Sequence, residues 1–474
     1  MALQTEPPAR RLEPMSATGT SARLDADPGE SSYPSARYAW YVLAIFFLAA
    51  ILSYTDRLIL NLLVDPIRDE LQISETQISL LQGAAFAVFY ALISLPLGRY
   101  ADRHNRRNLI AIGIAVWSVA TAVCGLATSF PGLVVARICV GLGEAALAPA
   151  VMSMIPDYFP EARRGTAYGV FVTGMVMGGG GAALIGGALL DGFQSGQFAF
   201  LPLIGHMVPW RAVLVALSLP GVLLLALILT VREPVRRDSL AARVEGEAGF
   251  GATLRYFSDN RWTFIFLISV FALGNMVGYG GASWMPSVFA RRFGLSAAEI
   301  GYSFGLVSLI ANGVGAILGG LLSDRLVQRG GADRALWFVL WTSVATLPLL
   351  AFSVLPTVTL ILACYSAFVI VSSMAGTAGI AVLQNAVPSE MRGFSVALQA
   401  CTYTLVGLGL GPTSIAITTE YVFQDPQSVG LSIFAVSLSV TAASIVLIWL
   451  SISPYRATRQ RMALATGSAA KSAD

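Results

Sequence analysis

The sequence predicts an all-α membrane protein: twelve transmembrane helices in two pseudo-symmetric six-helix bundles. Three observations predict it: a composition too apolar for water, twelve apolar runs of membrane-spanning length, and two motifs that recur at nearly the same offset. Of 474 residues, 55% are apolar and 12% charged, with a mean hydropathy of +0.70. Soluble domains carry about twice that charge, roughly 25%. A dozen spans of about 20 residues would use roughly half the chain and leave only short loops and tails. A disordered protein, a secreted disulfide scaffold and a nucleic-acid binder are excluded, and the net charge of +3 is too small to imply an acidic partner.

Residues 1–37 are rich in Pro, Ser, Glu and Arg and lack the short apolar core and cleavage site of a signal peptide, so they are expected to be a disordered cytosolic tail. Apolar runs bounded by charge, Pro or Gly then give six spans within residues 38–230, starting near Tyr38, Gln77, Leu109, Leu133, Thr166 and Pro209. Residues 231–260, with Pro, Ser, Gly and mixed charge, read as a cytosolic linker. Six further spans within 261–453 start near Trp262, Ala298, Ala335, Val358, Phe394 and Leu431. Pro, Gly and Ser inside spans are tolerated in lipid. Residues 454–474 form a basic tail (Arg456, Arg459, Arg461, Lys471) expected to lie against anionic head groups. Cys124, Cys139, Cys364 and Cys401 all fall in apolar runs without a CxxC pair and read as small buried hydrophobes.

Orientation follows from the 30 basic residues. Arg68, Arg211, Arg291 and Arg292 fall on one side and Arg57 and Arg137 within spans; the other 24 fall in the tails, the linker and the 2–3, 4–5, 8–9 and 10–11 loops. The positive-inside rule then places both termini in the cytosol, and the expected location is the plasma (inner) membrane.

An internal repeat supports the division into halves. Gly98-Arg99-Tyr100-Ala101-Asp102-Arg103 after span 2 returns as Gly320-Leu321-Leu322-Ser323-Asp324-Arg325 after span 8. Pro160-Glu161-Ala162-Arg163-Arg164-Gly165 before span 5 returns as Pro388-Ser389-Glu390-Met391-Arg392-Gly393 before span 11, at nearly the same offset. Two tandem halves in one orientation, with a cavity near the midplane between them, is a transporter's architecture.

Only four ionisable residues lie well inside spans: Asp56 and Arg57 in span 1, Arg137 and Glu144 in span 4. Each costs on the order of 3 kcal/mol at a helix centre, so they should face one another or water. Arg137 and Glu144 are seven residues apart and share a helix face with Gly141 and Ala148. The stripe through Arg57 carries Ser53, Leu60 and Asn61, with Asp56 turned away from it. A network that merely locks two helices is disfavoured, because two well-packed apolar residues would lock them as well. Acids in a partly dry site can exchange a proton while a nearby Arg changes partner. Asp56 and Glu144 are therefore the expected proton carriers, and Arg57 the expected holder of an anionic substrate group through its planar fork. The second half offers Asn275, Tyr279, Asn312, Tyr365, Gln399 and Tyr403 among Phe, Leu and Val, and these, with Ser53 and Asn61, are the expected cavity lining. A cavity charged on one wall and apolar or aromatic on the other would suit an amphiphile with an anionic head.

The run Gly98-Arg99-Tyr100-Ala101-Asp102-Arg103-His104-Asn105-Arg106-Arg107 resembles the signature of the major facilitator superfamily, Gly-x-x-x-Asp-Arg-x-x-Arg-Arg/Lys. Gly98, Asp102, Arg103, Arg106 and Arg107, with Asp324 and Arg325 in the second copy, are accordingly expected to form a cytosolic lock. Asp102 would accept N–H groups at the start of span 11 near Gly393 to Ser395, and Asp324 those of span 5 near Gly165, in one state and not the other. Within the superfamily the chain resembles the spinster family, through Tyr54-Thr55-Asp56-Arg57, Arg137 with Gly141-Leu142-Gly143-Glu144-Ala145, and Asp157-Tyr158-Phe159. That resemblance implies proton-linked movement of a lysophospholipid or a sphingosine 1-phosphate-like lipid, with Asp56, Arg57 and Glu144 carrying substrate and proton coupling.

Two departures bear on substrate identity. Ser53 replaces the usual Asn before the Tyr, and Ala146-Leu147 replace the Ser-Tyr that commonly follows Gly-Glu-Ala. The organic-anion:proton symporters of the same superfamily also use Asp-Arg in span 1 with Arg and Glu in span 4, and are the alternative. The glycine run Gly174 to Gly181 with Gly186-Gly187 in span 5 is expected to pack against Gly313, Gly315, Gly319 and Gly320 of span 8. No catalytic constellation is visible, both histidines (His104, His206) are in loops, and no phosphate-binding loop argues for ATP. The expectation is a monomeric transporter and not an enzyme. Its partners would be a small lipid or organic-anion substrate and the bilayer, with no nucleic acid, no metal and no cofactor, and a proton gradient as the energy source.

Overall fold

A computed structural model describes residues 33–101, 103–236, 250–330, 333–388 and 391–471. The regular structure of these residues is helical. Twelve helices are long and apolar enough to cross a membrane. Spans 1 to 6 are Ala36–Asn61, Glu75–Ala101, Arg106–Leu126, Phe130–Tyr158, Glu161–Gln194 and Pro209–Leu229. Spans 7 to 12 are Arg261–Phe293, Ala297–Leu326, Arg334–Val354, Val358–Gln384, Phe394–Phe423 and Pro426–Met462. Their starts fall within a few residues of those expected.

The helix starts are written in local caps, and the caps repeat between halves. Span 2 begins with a capping box, Ser74 accepting from the Gln77 N–H and Gln77 reaching back, and span 8 begins with the same box at Ser296 and Glu299. Ser74 and Ser296 are as far apart in the chain as Gly98 and Gly320. Each box leads into a π-turn, Leu80–Ala84 and Gly301–Gly305. The Ser129 cap of span 4 returns as Thr357 at span 10, with the separation that Pro160 has from Pro388. These are the two offsets of the sequence motifs, so the repeat extends to the chemistry that starts each helix.

Within the linker Phe250–Asp259 is helical, and its Tyr256 donates to the Ala386 carbonyl at 2.7 Å. The structure departs from two expectations. The last helix does not end at 453 but runs from Val429 to Lys471, because Tyr455 and Thr458 bury themselves and Thr458 bonds Asn260 at 3.0 Å. The glycines of span 5 divide their work. A Cβ on Gly174 or Gly178 would strike the span 1 carbonyls of Phe47 and Ile51, at 2.8 and 2.5 Å. Only Gly180 and Gly187 meet span 8, at Leu309 and Ala297. Gly315 and Gly319 of span 8 face Ile370 and Met374 of span 10 instead, and Gly313 faces open space.

With twelve spans, the start of span 1 and the end of span 12 lie on one face of the molecule, the tail face; the opposite one is the far face. The halves close on each other toward the far face. Arg291 of span 7 donates to Asp65 at 2.6 Å and to Glu75 at 2.7 Å, and Glu420 of span 11 accepts the Thr76 N–H at 2.8 Å. Deeper in, Gln82 Nε2 bridges Asn61 Oδ1 and the Ser283 carbonyl at 3.3 and 3.2 Å. At the tail face the halves stand apart among the described residues. Gly165 and Gly169 of span 5 have nothing within reach of an added Cβ, and Asp324 and Arg325 are exposed.

Candidate functional site

Span 1 stops being α-helical at Leu58 and tightens into a 3-10 turn, Ile59–Asn61. Its last α-helical bond runs from the Ile59 N–H to the Thr55 carbonyl, so the Asp56 and Arg57 carbonyls leave the helical ladder. Arg137 of span 4 takes them. Its Nη1 and Nη2 donate to the Asp56 and Arg57 carbonyls at 3.2 Å each, and its Nε to the Leu81 carbonyl, in the π-turn of span 2, at 3.3 Å. Arg137 thus closes the backbone breaks of two helices at once, with its charge directed at carbonyl dipoles and not at a carboxylate.

Glu144 lies at the last turn before span 4 breaks at Ala145 and Ala146. Its Oε2 accepts from Arg57 Nη2 at 2.8 Å, Arg57 Nε at 3.2 Å and Ser53 Oγ at 2.9 Å, while its Oε1 has no partner. Asp56 points the other way, toward span 3, where Thr121 Oγ1 donates to its Oδ2 at 3.4 Å and its Oδ1 is unpartnered. All four ionisable residues are between 1% and 3% exposed, so the unpartnered oxygens face protein and not water. The room that Gly141 leaves on span 4 is filled by Phe86, whose carbonyl would lie 3.1 Å from a Cβ there.

The guanidinium of Arg57 is boxed by aromatic rings, with Cζ 4.5 Å from the Tyr54 centroid, 4.6 Å from Phe86 and 4.8 Å from Tyr90. A cation over a ring face is attracted by the ring quadrupole, more strongly when desolvated.

Beyond Tyr54 lies a cavity of about 650 Å³ between the halves, bounded by spans 1 and 5 on one side and spans 7 to 12 on the other. Of the expected lining, Asn61, Asn275, Tyr279, Asn312, Tyr365 and Gln399 are on its wall. Ser53 is not, being turned to Glu144, and Tyr403 is off the wall, with its ring parallel to that of Tyr279 at 6.4 Å. Asn312 is tied to Ser373 at 3.0 Å, and Gln399 Nε2 has no partner. Tyr365 packs among Phe304, Phe352 and Phe368. Among the described residues no charged one lines the cavity, and neither Asp56, Arg57, Arg137 nor Glu144 reaches it. The wall expected to be charged is therefore apolar and aromatic too, with the charges one layer behind it.

The lock residues are dispersed in this state. Arg106 is buried within the first half, paired with Asp157 at 2.6 Å and Glu233 at 2.7 Å, and so fastens the start of the linker to spans 3 and 4. Arg107 donates to the Leu229 carbonyl at 2.8 Å. Gly98 approaches Pro149, and Arg103 is exposed. Asp102 lies outside the described residues. Sequence reasoning missed the far-face residues Asp65, Glu75, Gln82, Arg291 and Glu420. The signal was present in Arg291, an arginine against the positive-inside bias, but its acids are far from it in sequence.

Three similarities bear on what the chain is. A bacterial homologue of the human lysosomal transporter spinster, solved in an inward-facing and unoccupied conformation, superposes with a TM-score of 0.73 at 26% identity, covering 90% of this chain and 98% of that one. An MFS-type efflux pump of Mycolicibacterium smegmatis is 26% identical over 443 residues, 92% of this chain and 97% of that protein. A hexuronate transporter of Bacillus subtilis is 25% identical over 289 residues, 61% of this chain and 65% of that protein. Residues 46–412 match the Major Facilitator Superfamily, and the chain belongs to it: an integral membrane transporter and not an enzyme.

Proposed function

We propose that the protein is a proton-coupled secondary transporter that moves an amphiphile with an anionic head, a lysophospholipid or a sphingosine 1-phosphate-like lipid, by alternating access. One observation carries this reading: a cavity of about 650 Å³ with no charged residue among those described on its wall lies one aromatic ring away from the buried Arg57–Glu144 pair. An alkyl chain has apolar surface to bury there, at about 25 cal/mol per Å². An anionic head has Arg57, whose fork can exchange Glu144 for a phosphate. In this scheme Asp56 and Glu144, each with one unpartnered oxygen, exchange the coupled proton. When substrate takes Arg57, Glu144 loses its counter-charge and accepts a proton in its place. The tail face is assigned to the cytosol on the arginine bias, which makes this the inward-open state. The inner membrane is the proposed location, the monomer the proposed unit, and the proton gradient the proposed energy source.

The competing reading is symport of a small organic anion, favoured by similarity to the hexuronate transporter and by the amides of Asn61, Asn275, Asn312 and Gln399 on the wall. Reconstituted proteoliposomes decide between them. Uptake of a lysophospholipid and of glucuronate is measured with and without an inward proton gradient. Gradient-dependent lysophospholipid uptake is expected; movement of glucuronate alone would overturn the lipid assignment.

A further inference from the structure

We infer that Tyr54 sets the specificity of this transporter, standing as a ring between the cavity and the cation placed to receive an anionic head. The inference rests on the reading that Arg57 takes that head, and concerns what decides which anions reach it. Tyr54 is on the cavity wall and is also in face contact with the Arg57 guanidinium, at 4.5 Å. Phe86 and Tyr90 complete the box at 4.6 and 4.8 Å, but neither reaches the cavity. Arg57 itself is 3% exposed. An anion in the cavity therefore meets a ring before it meets a charge.

That order has a consequence for selection. Turning Tyr54 aside breaks a desolvated cation–π contact before the salt bridge to the substrate forms. A substrate with an alkyl chain offsets the loss by burying that chain against Val176, Phe271, Val339 and Phe368, which line the same cavity. A small hydrophilic anion has nothing to offset it with, and its own hydration is lost as well. Rejection of the wrong substrate thus comes from an obstacle that only the right one can move. The backbone is braced for this role: a Cβ on Gly178 would lie 2.7 Å from the Tyr54 Cβ, so span 5 packs closely behind Tyr54.

The test is the ratio of glucuronate to 1-oleoyl-lysophosphatidylglycerol uptake in proteoliposomes, for the wild type, Tyr54→Leu, Tyr54→Met and Tyr54→Phe. Leucine and methionine remove the ring and keep an apolar body, and are made in parallel so that a folding failure of one leaves the other. Both should raise the ratio by about tenfold or more, the effect of losing one desolvated cation–π contact. Tyr54→Phe keeps the ring and should leave the ratio near that of the wild type. Adding Arg57→Gln to Tyr54→Leu should abolish the gained glucuronate uptake, because the gain is access to Arg57. An unchanged ratio in both ring-removed variants, in a protein whose lysolipid uptake needs Arg57, would overturn the role of Tyr54 alone. A wild type that moves glucuronate and not the lysolipid would overturn the proposed function and this inference with it.

Discussion

Glu420, near the end of span 11, accepts the backbone N–H of Thr76 at 2.8 Å, so an acid from the second half caps the first turn of span 2 in the first. Spans 2 and 11 run in opposite directions across the interface. Helix starts favour anions through free N–H groups and the macrodipole. Arg291 adds the stronger clasp, with Asp65 and Glu75 held at 2.6 and 2.7 Å.

Weakening that clasp should therefore open the far face. A hydrogen bond to a charged group contributes roughly 1.5–3 kcal/mol, and about 1.4 kcal/mol is a tenfold change in a two-state population. Arg291→Ala and Glu420→Gln are each expected to raise, by about tenfold, the rate at which a membrane-impermeant thiol reagent applied to the far face labels a cysteine placed at Asn61, with the four native cysteines replaced. Unaltered labelling in both would mean that these contacts do not set the balance between states.

Arg137 is expected to matter for stability as much as for transport. It satisfies three carbonyls on two helices, and lysine has no planar fork with which to reach all three. Arg137→Lys should leave at least one buried carbonyl unpaired, at a cost of about 1–3 kcal/mol. Thermal unfolding in detergent should show a lower midpoint than the wild type. Arg57→Lys keeps its charge beside one carboxylate and should lower the midpoint less.

The fold was legible because its signals are local or periodic. Apolar runs gave the spans, and two motif pairs gave the halves; the capping boxes at Ser74 and Ser296 are separated as Gly98 and Gly320 are, and could have been read the same way. The four membrane charges were legible because each is costly where it stands. Their geometry was not. That Arg137 would bind carbonyls and not acids depends on where span 1 leaves its α-helical ladder, at Leu58, and nothing in the run Tyr54 to Asn61 announces that break. The placement of Arg57 behind Tyr54 depends on Phe86 filling the space over Gly141, a contact between helices that periodicity cannot see. Likewise the glycine run of span 5 was visible, but its division between spans 1 and 8 depends on which face each turn presents.

That division predicts opposite outcomes for like substitutions. In Gly178→Ala the new Cβ would sit 2.5 Å from the Ile51 carbonyl and 2.7 Å from the Tyr54 Cβ, both on the helix that carries the charged cluster. Overpacking of this kind costs about 1–3 kcal/mol, so the unfolding midpoint should fall and transport with it. Gly165→Ala meets nothing within 4 Å in this state and should leave the midpoint near the wild-type value. Equal losses for the two would show that span 5 does not pack on span 1 as described.

The two acids should separate coupling from movement. Among the described residues Glu144 is the only carboxylate on Arg57, so Glu144→Gln leaves that guanidinium without its counter-charge and with one neutral acceptor in place of Oε2. Arg57 should then hold an anionic substrate through the cycle, and both uptake and counterflow should fall. Among the contacts described the Asp56 carboxylate forms no ion pair and accepts only from Thr121, while Arg137 bonds the Asp56 backbone carbonyl. Asp56→Asn should therefore keep counterflow of lysophospholipid, which needs no net proton movement, while losing uptake driven by a pH gradient. Proteoliposomes loaded with unlabelled substrate give the first measurement, and empty ones with an imposed gradient give the second. If Asp56→Asn and Glu144→Gln both still accumulated substrate against its gradient in a pH-dependent way, the coupled proton would have to be carried elsewhere. No other acid among the described residues lies as deep in the spans of the first half.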